Sequence, residues 1–64
     1  MLKMIEVVGT SPVSFAEAVK AAVNRLAAAG QKVHFFTVSE LRGAVRGGQI
    51  EFQTVVKVAV EGDV

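Results

Sequence analysis

Cysteine, tryptophan and tyrosine are absent from this 64-residue chain, and its single proline and single histidine leave few special side chains. Without cysteine there can be no disulfide, and one histidine with no thiol is a poor start for a structural zinc site. Charge of one sign is also missing: the net charge is +1, and the seven Lys and Arg are scattered rather than clustered. Nucleic acid is therefore excluded as a partner, since it demands a basic footprint. No apolar run approaches the roughly 20 residues of a membrane span, and the opening Met1-Leu2-Lys3-Met4 is too short for a signal peptide. Together with the missing cysteine, this predicts a cytoplasmic protein with no membrane partner. No nucleophile stands beside a base, and no second histidine or carboxylate cluster would build a catalytic or metal site, so an enzyme is not expected.

What the chain does have is apolar surface. It is 52% hydrophobic, and residues 1–64 are expected to form a single domain. A domain of this size buries only about 60% of the surface that its unfolded chain exposes. Some further staple is needed. With disulfides and zinc set aside, self-association is what remains.

Three extended segments and one helix can be read in order. Leu2 to Val8 is β-branched and almost continuously apolar, apart from Lys3 and Glu6, which predicts a buried strand ended by Gly9-Thr10-Ser11-Pro12. Ser14 and Glu17 form a capping box, so a helix is expected from about Phe15 to Ala29, with Gly30 as its left-handed stop. Phe15, Val19, Ala22, Val23 and Leu26 make its core stripe, while Glu17, Lys20, Asn24 and Arg25 lie off it. From Lys32 to about Leu41, and again from Gln49 to Val60, the period is two. These segments predict a hairpin whose connection uses Gly43 and Gly47-Gly48, with Arg42 and Arg46 near the bend.

The fold class is thus α+β, with β-α-β-β order and one helix on one side of a three-stranded antiparallel sheet. In the last strand Ile50, Phe52, Thr54, Val56, Val58 and Val60 are expected to face the helix, joined by Phe36 and Val38. That leaves Phe35, Thr37, Gln53, Val55 and Lys57 on the bare face, with Met4, Glu6 and Val8 from the first strand. A one-residue slip would exchange the two sets. Such a mixed face suits an interface or a pocket wall. Phe35 and Gln53 are expected to lie together there, and a flat heteroaromatic ligand needs both a stacking surface and an amide that donates and accepts.

Val8-Gly9-Thr10-Ser11 leading into a capped helix, then His34-Phe35-Phe36 running to Leu41-Arg42-Gly43, then Phe52-Gln53 opening a long last strand, resembles the dodecin family over nearly the whole chain. The resemblance implies a sheet partly wrapped around the helix and a hollow homododecamer, which would be the missing staple. It also implies a flavin (riboflavin or FMN) held in pairs between symmetry-related subunits, for storage or sequestration rather than catalysis. Phe35 falls where flavin-binding members stack a tryptophan on the isoalloxazine, and Gln53 falls on the glutamine that hydrogen-bonds the ring. Glu40 matches an acidic position that contacts ribityl hydroxyls in some members; Arg42 and Lys3 sit near positions that meet a phosphate in others. Phenylalanine offers less ring area than indole, so the resemblance implies weaker holding. Thr37 replaces a common acid, and Glu61 stands where a bacterial-type member has a phosphate-serving arginine. Riboflavin or a degraded flavin is then better placed than a nucleotide flavin.

Plainer roles stand beside these. Phe35 can be an interface residue, Gln53 a cross-strand hydrogen-bonding residue, and Arg42 with Gly43 turn or intersubunit residues. His34 reads as structural, and Glu6 with Lys57 as a cross-strand pair. Gly47-Gly48 is no phosphate loop, because no helix follows it. The alternative to flavin storage is a dodecin-like shell that has lost flavin and binds a cation or a coenzyme, or is purely structural.

Overall fold

The computed structural model describes residues 1–62. Strand β1 (Leu2–Ser11) leads to helix α1 (Phe15–Ala28), followed by strands β2 (Val33–Arg46) and β3 (Gln49–Glu61). Both strand pairings are antiparallel, and the order β1-β3-β2 puts the last strand in the centre. The α+β class and the β-α-β-β order are as the sequence predicts.

Local chemistry sets the helix ends. Ser14 is extended, and its Oγ accepts from the Glu17 amide at 3.0 Å, satisfying one orphan donor of the first turn. At the other end the Gly30 amide donates to the Ala27 carbonyl and the Gln31 amide to the Leu26 carbonyl, with Gly30 at φ 89. This is the paired closure of a Schellman motif, which needs a residue free to enter the left-handed region. Arg25 then ties the helix to the sheet by donating from Nη2 to the Val8 carbonyl at 2.9 Å.

Strand β1 does not stop at Val8, as its composition suggests. It continues through Gly9 to Ser11, with Gly9 opposite Thr54 and Ser11 opposite Phe52. Gly9 breaks nothing; it is where the helix comes closest, since a Cβ placed there would lie 2.0 Å from the Ala18 carbonyl oxygen. Termination falls instead to Pro12, which has no amide to extend a ladder, and to Ser11 Oγ, which accepts from the Val13 amide at 2.9 Å.

The core lies between α1 and the β1–β3 pair. Ala18, Ala22, Val56, Val58 and Val60 are fully buried, with Ile5, Val7, Val19, Val23, Leu26 and Val33 packed around the cluster. Ala18, three residues after Phe15 and four before Ala22, lies on the same helical stripe and belongs to this core. Phe15 meets Phe52 edge to face at 5.0 Å near the amino end of the helix.

Phe36 and Val38 lie opposite Val58 and Val56, on the helix side as expected. They are not in the core, being 45% and 41% exposed. The helix covers β1 and β3 and reaches β2 only near its start, so beyond Val33 the helix side of β2 is bare. Ile50, also expected in the core, is exposed because β1 has already ended beside it and only the hairpin arm remains.

The hairpin turn is tighter than the glycine count implies. Arg46 pairs with Gln49, leaving Gly47 and Gly48 as the two-residue loop at φ 55 and 78. Two consecutive left-handed residues are the requirement of a type I′ turn, whose twist matches that of the strands. Gly43 takes no part; it lies within β2 opposite Phe52, and Arg42 lies opposite Gln53, away from the bend.

Candidate functional site

Cross-strand pairing defines the face that the helix leaves bare. Its rows are Met4, Ala59 and Phe35; Glu6, Lys57 and Thr37; Val8, Val55 and Glu40; and Thr10, Gln53 and Arg42. Phe35 and Gln53 therefore share this face. They do not lie together, because Phe35 stands opposite Ala59 and Gln53 is six positions further along β3. At about 3.3 Å per residue the separation is roughly 20 Å, more than one flat tricyclic ring spans.

Two bulges in β2 create this arrangement. Register shifts fall between Val33 and Phe35 and between Val38 and Glu40, leaving His34 and Ser39 as the extra residues. The first lets Val33 join the core while Phe35, two residues later, turns to the open face. The second has more effect on the chemistry. Simple alternation from Phe36 and Val38 would send Glu40 and Arg42 to the helix side, whereas the bulge at Ser39 turns both outward beside Gln53. Ser39 Oγ donates to the Val55 carbonyl at 3.1 Å and so fastens the bulge to β3. His34, at the first bulge, lies 2.6 Å from Glu61 through Nε2 and Oε2, a structural pairing across the sheet end.

Glu40, Arg42 and Gln53 thus form one polar group. Arg42 Nε donates to Gln53 Oε1 at 2.9 Å, and Arg42 Nη1 lies 3.9 Å from Glu40 Oε2. Gln53 Nε2 donates in turn to Glu51 Oε2 at 2.8 Å. Glu51 was not singled out by sequence reasoning, although its position two residues before Gln53 on a strand places it on the same face. Phe35 sits at the opposite end of the face and is 51% exposed. Lys3 does not join this group: it lies opposite Val60, on the helix side of the sheet, where its stem passes Gly62.

Beside the polar group the sheet has a notch. Where β1 ends and the β2–β3 arm continues, a cavity of about 290 Å³ opens, lined by Thr10, Ser11, Pro12, Arg46, Gln49, Ile50 and Glu51. This is near the lower limit for a small-molecule site. Arg46 supplies a cation and Thr10 a hydroxyl, neither of which any linear motif marks.

Comparison with known proteins agrees with this architecture. The family model described as Dodecin matches residues 1–62. The dodecin of Streptomyces davaonensis is 31% identical with a TM-score of 0.89, over 100% of this chain and 96% of that one. A tryptophan-to-phenylalanine variant of the Thermus thermophilus dodecin is 31% identical with a TM-score of 0.88, over 100% and 97%. A calcium dodecin of Mycobacterium tuberculosis, described as a calcium chelating immunodominant antigen with a novel calcium-binding site, is 28% identical with a TM-score of 0.89, over 98% and 91%. No curated protein sequence matches. Element order, sheet topology and a family match that runs from the first residue through Gly62 all agree: the chain belongs to the dodecin family.

Proposed function

We propose that this protein binds a flavin at contacts between copies of itself and holds it in store without transforming it. The observation that carries the reading is the open sheet face. It presents an exposed aromatic ring at Phe35 and an amide at Gln53, with Met4 and Val8 also exposed between β1 and its neighbours. An apolar, half-solvated face on so small a chain is better explained by ligand and partner than by water. Because Phe35 and Gln53 are roughly 20 Å apart within one chain at the usual rise of a strand, a ligand touching both is sandwiched between the Phe35 of one copy and the Gln53 of another. Such a site exists only in the oligomer, and the homododecamer implied by the family resemblance fits that requirement.

Within it Phe35 stacks on the isoalloxazine and Gln53 meets the polar edge. Glu40 and Arg42 stand beside Gln53, within reach of a ribityl chain or its substituent. Glu61 lies at the Phe35 end of the sheet, close to His34, and its negative charge disfavours a phosphate there. Riboflavin is accordingly the better ligand, FMN the poorer. Lys3, on the other side of the sheet, would contribute only if a neighbouring copy presented it.

A cation-binding role is the second reading, favoured by the likeness to the calcium dodecin. Among the described residues no three His, Asp or Glu side chains gather within one chain, so a cation would have to be shared between copies.

Fluorescence titration of riboflavin separates the two. A stacked flavin loses its emission, so stoichiometric quenching by the purified protein is expected. Phe35→Trp should tighten binding by about fivefold, corresponding to about 1 kcal/mol from the larger ring. Undiminished emission at micromolar protein would refute flavin storage; quenching with unchanged affinity in the Trp variant would remove Phe35 as the platform.

A further inference from the structure

Gln53 is held between two opposite charges. Arg42 Nε donates to its Oε1 at 2.9 Å, and its Nε2 donates to Glu51 Oε2 at 2.8 Å. A guanidinium can only donate and an ionised carboxylate can only accept. Rotating the amide by half a turn would set donor against donor at Arg42 and acceptor against acceptor at Glu51. The two neighbours therefore allow one orientation of an amide that would otherwise have two.

We propose that Glu51 is a positioning residue: with Arg42 it locks the Gln53 amide, so that the site selects ligands whose edge carries an N–H beside a C=O. One lone pair of Oε1 and one N–H of Nε2 remain free after the internal bonds are made. They present an acceptor and a donor in fixed order, the complement of an imide or lactam edge. Glu51 also lines the cavity beside β1, so the order is set where a ligand would enter. The lock concerns Gln53 alone; only the choice of ligand rests on the flavin reading. A ligand without the N–H would leave the second lone pair of Oε1 without a donor, and sites built around such a bond reject the analogue that lacks it.

The test has two arms on the assembled protein. In side-chain amide NMR without ligand, one Gln53 Nε2 proton should be shifted downfield and protected from exchange, and should lose both properties in Glu51→Met. Glu51→Gln, whose carbonyl still accepts, should restore them. An unchanged Gln53 signal in Glu51→Met overturns the lock. In quenching titrations, 3-methylriboflavin should bind about tenfold or more weakly than riboflavin, the loss expected when one hydrogen bond goes unmade. Glu51→Met should narrow that ratio, because Nε2 then has two N–H groups to offer an acceptor-only edge; Glu51→Gln should recover it. A ratio that Glu51→Met leaves unchanged refutes the selective role. If neither flavin binds the natural protein, the flavin reading falls and the amide spectra still decide the lock.

Discussion

Replacing Gly9 with alanine should be among the most damaging single methyl additions this protein can suffer. The added Cβ would stand 2.0 Å from the Ala18 carbonyl oxygen, 3.0 Å from its carbon and 2.9 Å from Ala22 Cβ. Two of these neighbours are helix backbone and cannot rotate away. Restoring ordinary contact at 3.4 Å requires the helix to lift by about 1.4 Å from the first value. A gap of about 0.5–1 Å already forfeits a quarter to a half of the dispersion well, and it would open along the packing of Ala18, Ala22, Val56 and Val58, all of which are fully buried. Overpacking costs about 1–3 kcal/mol, and occasionally more. The upper end applies here, so a loss of about 3 kcal/mol is expected. For a chain of this length the urea dependence is about 1 kcal/mol/M, which places the unfolding midpoint about 3 M lower. Urea denaturation followed by far-UV circular dichroism, at one fixed protein concentration, measures it. Gly43→Ala is the control, since its Cβ would meet only the Glu51 carbonyl oxygen at 3.3 Å and should change stability by less than about 1 kcal/mol. A Gly9→Ala midpoint within about 1 M of the natural protein, on the same m-value scale, would refute the close approach of helix and strand.

Two other changes test the fold from different sides. Ser14→Ala removes the side-chain cap that accepts from Glu17 and should cost about 1 kcal/mol in the same urea experiment. Thr54 is fully buried, and its Oγ1 lacks a hydrogen-bond partner among the described residues. Thr54→Val keeps the shape and drops the unsatisfied group, so it should stabilise by about 1 kcal/mol or more; destabilisation would mean that the hydroxyl has a partner in the assembled protein.

The elements were largely legible in the chain because their signals are local. A serine three residues before a glutamate, a glycine after the last helical turn and a long β-branched segment each act on their immediate neighbours. The helix appeared within a residue of its expected ends, whereas β1 runs past Val8 to Ser11 and β2 past Leu41 to Arg46. Gly9 misled because a glycine in a strand marks either a break or a close approach, and only the facing helix distinguishes them. Phe36 and Val38 had the right face but the wrong burial. Alternation reports which side a residue takes and is silent about whether anything covers that side.

The candidate site was less legible. Phe35 and Gln53 were found on one face by alternation, yet their spacing along the face depends on register, which a single strand does not carry. Glu40 and Arg42 reach Gln53 only through the bulge at Ser39. Glu51 was overlooked because a glutamate on an open face looks like any solvated charge until its partner amide is placed.

The sequence by itself determined the helix and its caps, the β-α-β-β order, the valine-rich face of β3 and a hairpin between the last two strands with Gly47-Gly48 in its connection. Each of these depends on torsional preference or on hydrophobic period over a few residues. Only the tertiary structure decided the two register shifts in β2, the bare helix side of that strand, the separation of Phe35 from Gln53 and the charge-locked amide. Those are set by where the narrow helix leaves off and by how strands slip to satisfy hydrogen bonds across the sheet. Both are long-range balances, to which no short stretch of chain holds the key.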